Sequence, residues 1–224
     1  MTFISRRDLL KRAGMTAIVV PVVQRFQGRL LGAESPALQA AQAATREPLE
    51  SLGAHEMDVL EAIVARLIPT DANGPGATEA RAARYIDRAL AGVLSSSRQT
   101  YTSGLAALDA YAQSSRGKPF AQLSPADQDS VLIELETGAA TGFSGGSAAF
   151  FNMVVNHTHQ GTFGDPYYGG NQDFVGWDLL GYPGVRTMVT TTDQKSLEAH
   201  QLKPNHKSAY DYNVFTKADR HHGD

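Results

Sequence analysis

Two histidines, His157 and His159, and three aspartates, Asp165, Asp173 and Asp178, fall within one stretch of the chain. Imidazole and carboxylate bind metals and carry protons, so a metal centre or an acid–base pair would be sought here first. The spacing suits neither. Residues two apart on a helix point about 200° away from each other, so His157 and His159 converge on one ion only where a helix has ended. Neither H-E-x-x-H nor Glu-x-x-His occurs, and without such spacing a histidine more often fills or caps the core. Asp165 precedes a proline, and the other two aspartates share its turn-rich stretch. That setting favours Asx-turns over a catalytic carboxylate pair. His55, His200 and His206 are scattered, and His221 and His222 sit in the terminal tail. No nucleophile elbow, dinucleotide fingerprint or phosphate loop is present, and Gly145-Gly146-Ser147 reads as a helix start. The chain has no cysteine. That excludes thiolate catalysis, disulfides, cysteine-ligated zinc, Fe–S clusters and covalent haem c on this chain.

The same stretch carries another kind of signal. From Gly161 to Gly184 the sequence reads GTFGDPYYGGNQDFVGWDLLGYPG. No period of 3.6 or 2 survives across it, and Asp165-Pro166 and Gly169-Gly170-Asn171 are turn chemistry. It is predicted to be a long glycine-rich aromatic loop. Long loops in compact domains are usually functional, and aromatic residues on a turn-rich backbone are what protein interfaces favour. The alternative is a loop folded over its own core.

The elements that must position this loop read as helices. Leu52 to Ile68 repeats apolar residues at three- and four-residue steps, with Gly53 and Glu56 as a weak capping box and Pro69 as its stop. A second helix is expected from a Thr78 cap to about Ser95, and a third from Arg98 to Ser114. Ser124, Pro125 and Asp127 give a strong start to a fourth, ending at Gly138. A fifth, Ala148 to about His159, is apolar nearly all round and should be central. The one strand candidate is Val185 to Thr192, and the tail from Gln194 is polar with scattered aromatics. The fold class is therefore all-α: a compact irregular helical bundle with a long Gly/aromatic loop and an irregular C-terminal tail.

The chain has 224 residues, 42% of them hydrophobic, and a net charge of −3. That suits one domain with a real core, and it offers no basic field for nucleic acid. Ser5-Arg6-Arg7-Asp8-Leu9-Leu10-Lys11 is similar to a twin-arginine export motif. The apolar run after it, Met15 to Val23, is broken by Pro21 and is far short of the about 20 residues that span a bilayer. Ala41-Gln42-Ala43 and Leu31-Gly32-Ala33 are the cleavage candidates. Residues 1–48 are read as signal and linker, and residues 49–224 as one helical domain.

Several of these segments together resemble a known family. Leu52 to Gly76, with Leu67-Ile68-Pro69-Thr70-Asp71, and Leu123-Ser124-Pro125-Ala126-Asp127 are similar to the opening and middle of the gluconate 2-dehydrogenase subunit 3 family. His157 to Pro166, Tyr168-Gly169-Gly170-Asn171, Gly176-Trp177 and Gly181-Tyr182-Pro183-Gly184 look like its C-terminal signature. The resemblance implies a small non-catalytic subunit that binds no cofactor itself. Its partner would be a large FAD-dependent dehydrogenase of the glucose–methanol–choline type that oxidises a sugar or sugar acid. A cytochrome c subunit carrying haem can complete such complexes. The small subunit would carry its partner through the twin-arginine translocase to the periplasm, as a lasting subunit or as a chaperone that then leaves. Phe163, Asp165, Tyr167, Tyr168, Asn171, Trp177 and Tyr182 are the interface candidates. The competing reading is a stand-alone periplasmic metal protein or enzyme using His157 and His159.

Overall fold

The computed structural model describes residues 47–215, and the compact unit begins at Pro48. The export motif with Arg6 and Arg7, both cleavage candidates, and His221 and His222 lie outside the described residues. Within them the chain is helical: α1 Ala54–Leu67, α2 Ala82–Ala91, α3 Arg98–Arg116, α4 Pro125–Glu136, α5 Ser147–Phe163, α6 Val175–Leu180 and α7 Thr191–Glu198. No strand forms among the described residues, only an isolated bridge between Asp71 and Gly74.

The core follows the apolar periodicities. Leu60, Ile63 and Val64 of α1 meet Ile86 and Leu90 of α2, Leu105 and Leu108 of α3, Val131 and Leu135 of α4, and Phe150 and Val154 of α5. Helix α5 packs on α2, α4, α1 and α3, the central place its all-round apolar character demands. Among the described residues, no helix is long and apolar enough to cross a membrane.

Caps explain most boundaries. At α4 the Ser124 hydroxyl accepts the Asp127 N–H, with Pro125 in the first turn. At α1 only half a capping box exists: Glu56 accepts the Gly53 N–H at 2.7 Å, and glycine has no side chain to return the bond.

Four expectations need correction. Helix α2 starts at Ala82, not near Thr78, because Arg81 is left-handed (φ 57°) and turns the chain. Residues 77–81 form a separate turn, in which Glu79 accepts the Gly76 N–H. Hydrogen bonds from Thr70 and Gly76 hold the Glu79 carboxyl below the usual range. Helix α5 runs on to Phe163 and takes in Gly161. The expected long loop is instead short helical pieces: 3-10 turns at Pro166–Tyr168 and Gln172–Phe174, then α6. Six residues are too few to show a period, so the sequence hides α6. Finally, Val185 to Thr192 has no strand partner, stays irregular to Thr190, and enters α7, capped by Thr190 and Asp193.

Candidate interaction site

Residues 164–184 fold back across the C-terminal end of α5, and Asn171 is the staple. It is fully buried (0% exposed) and left-handed (φ 44°). Its N–H donates to the Gly161 carbonyl at 2.7 Å and its Nδ2 to the Gly164 carbonyl at 2.8 Å. Its Oδ1 accepts the Gly176 N–H at 2.8 Å. One side chain thus ties the end of α5 to the start of α6. Asparagine fits because it tolerates positive φ and supplies both a donor and an acceptor.

Glycines allow the close approach. A Cβ on Gly176 would stand 1.8 Å from the Thr162 carbonyl oxygen. One on Gly161 would stand 2.9 Å from the Ala82 Cα, so α5 and α2 touch backbone to backbone. Trp177 is 6% exposed and donates its indole N–H to the Phe163 carbonyl at 2.9 Å. Phe174 and Tyr182 pack against its ring at 5.4 and 4.8 Å between centroids. Asn171 and Trp177 therefore work beneath the surface, with Phe163 half-buried beside them.

The outward face is tyrosine. Tyr167 and Tyr168 are 54% and 52% exposed, and Tyr182 39%. Tyr210, from the tail, stacks on Tyr167 at 3.7 Å between centroids. The Tyr210 and Tyr168 hydroxyls share a 2.7 Å hydrogen bond. That bond, then burial, then nearby Tyr168, Tyr167 and Asp165 raise the Tyr210 phenol above its ordinary value. Asp165 sits below this cluster. Its carboxylate accepts the Tyr167 N–H at 3.0 Å, the Ser208 hydroxyl at 2.6 Å and the Ala209 N–H at 2.9 Å.

The histidines do not form a metal site here. Helix α5 is continuous through both, so they point to different sides. His157 is buried, stacks on Tyr101 and shares a 3.0 Å hydrogen bond with its hydroxyl. Burial lowers the His157 pKa and raises that of Tyr101. His159 is on the exposed side, against Phe163. Among the described residues, no group of three or more His, Asp or Glu side chains is placed to hold a metal ion. The three aspartates also part company: Asp165 holds Ser208, Asp178 holds His206, and Asp173 accepts from Gln172.

Sequence reasoning missed two contributors, Tyr210 and Ser208, which had no signal beyond an aromatic in a polar tail.

Fold and site together define an all-α scaffold that presents a stapled, tyrosine-faced segment suited to contact. The sequence profile of the gluconate 2-dehydrogenase subunit 3 family matches residues 54–184, and the chain belongs to that family. By that description it is an accessory subunit of a multi-subunit dehydrogenase. No curated protein and no solved structure matches the chain.

Proposed function

We propose that this chain is the non-catalytic small subunit of a periplasmic FAD-dependent sugar or sugar-acid dehydrogenase, and that it docks on the flavoprotein through the face of residues 163–184. The observation that carries the reading is the family match ending in this segment, whose buried residues are spent on holding it while its tyrosines face outward. Tyrosine gives large contact area and a hydrogen bond at low entropic cost, which suits an interface. FAD belongs to the large subunit, of the glucose–methanol–choline type, and haem c to a cytochrome subunit where one is present. The twin-arginine motif at Ser5 to Lys11 would export the folded pair together, so the small subunit serves maturation as well as assembly.

The test is co-expression with the product of the neighbouring gene, capture on this chain and an absorption spectrum of what is eluted. A flavin spectrum at equal stoichiometry is expected. A lone colourless chain would refute the subunit reading, and a partner lost on maturation would mark an escort. Tyr167→Ala with Tyr168→Ala should reduce recovery while the thermal midpoint stays put, because both side chains are half exposed. Full recovery with that variant would remove this face from the interface.

A further inference from the structure

We propose that residues 186–215 are a releasable strap over part of the face of residues 165–184, latched by Asp165, and that the partner, beyond the tyrosines already exposed, displaces the strap to reach the part that His206, Ser208 and Tyr210 cover. The second half rests on the subunit reading; the first stands without it.

The strap adds almost nothing to the core. Of residues 186–215 only Ser208 is buried, and α7 buries no residue. It is held by polar and ring contacts. Ser208 and the Ala209 N–H meet the Asp165 carboxylate, and Tyr210 meets Tyr167 and Tyr168. The His206 ring stacks on Phe174 at 5.1 Å, and its Nε2 lies 2.7 Å from Asp178. The Asn205 N–H donates to the Pro183 carbonyl and the Val185 N–H to the Lys207 carbonyl, each at 3.2 Å. Gly184 admits Asn205: a Cβ there would fall 1.9 Å from the Asn205 Oδ1, and its φ is +81°. Segments with few buried apolar contacts and exposed hydrogen bonds open locally at a small fraction of the cost of global unfolding.

What lies under the strap is poised for change. Asn171, Asp173 and Phe174 are all left-handed, with φ of 44°, 54° and 64°. Strained non-glycine backbone persists only where its surroundings over-determine it, and it gathers at switch regions. His206 packs over this turn. The strap lies outside residues 54–184, the part matched to the family.

The test is hydrogen exchange on the full chain, alone and with the flavoprotein, for wild type, Ser208→Ala and Asp165→Asn. Ser208→Ala alters the strap alone. Asp165→Asn turns an acceptor facing the Ala209 N–H into a donor. In the free chain, strap amides should exchange well before those of α1 to α5. Each variant should speed them roughly tenfold further, the loss of one charge-assisted hydrogen bond, with the bundle's thermal midpoint unchanged. Strap and core exchanging together, or a midpoint that falls with the variants, would overturn the latch. In the complex, residues 165–184 should gain protection while the strap loses it, and Ser208→Ala should bind faster. A strap that gains protection, or a variant that binds more slowly, would overturn displacement. If wild type captures no flavoprotein, the subunit reading fails, and exchange in the free chain still decides the latch.

Discussion

Replacing Asp87 by asparagine should be among the most damaging single-atom changes in this protein. Asp87 is 0% exposed. Its Oδ1 accepts the Ser51 and Leu52 N–H groups at 2.9 and 2.8 Å. Its Oδ2 accepts the Glu50 N–H at 2.9 Å and the Arg84 guanidinium at 2.6 Å. One carboxylate thus pins the entry of the chain to α2. The amide of asparagine keeps Oδ1 and puts a donor against two donors. Breaking a buried charged pair by removing one partner costs about 3–5 kcal/mol. Arg84 is 21% exposed and has Glu50 at 3.5 Å, so the lower end applies, near ~3 kcal/mol. For a domain of this size, each kcal/mol moves the midpoint by roughly 2–4 °C, so a fall of roughly 6–12 °C is expected. Thermal melts followed by circular dichroism read this directly. Early proteolytic cutting near Glu50 to Leu52 should accompany it. A shift below about 2 °C would show that the carboxylate does not anchor this segment.

Three further outcomes follow from the packing. Gly176→Ala should destabilise by several kcal/mol, because its Cβ would meet the Thr162 carbonyl and the backbone there must move; a melt within about 1 °C of wild type would refute the contact. Thr158→Val should leave stability unchanged or raise it by about 1 kcal/mol, since the Thr158 hydroxyl is buried without a partner. Denaturant titration checks this, and a clear loss would mean that the hydroxyl is satisfied in solution. Burial lowers the His157 pKa, so the unfolded chain takes up the proton first. The stability tied to neutral His157 is full above about pH 6.5 and is lost as pH falls through the lower folded value, by up to about 1.4 kcal/mol per pH unit. His157→Gln should be less stable at pH 8 yet lack that acid-side slope; an unchanged slope would assign it to other groups.

Sequence alone determined the helical class, because apolar residues spaced three and four apart need only local geometry to become a face. It determined α4 for the same reason: Ser124, Pro125 and Asp127 act within one turn. It also marked residues 161–184 as more than a simple connector, through their glycine and aromatic content. Tertiary structure decided the rest. The close packing of α5 on α2 depends on Gly161 meeting Ala82, two residues far apart in sequence. The burial of Asn171 and Trp177, and so their part in holding the face rather than forming its surface, depends on carbonyls of α5 and the loop after it. The latch role of Asp165 was not legible, because its partners Ser208 and Ala209 lie more than forty residues away. Short-range spacing is written in the chain, whereas the partner of a buried polar group is fixed only when distant segments close on each other.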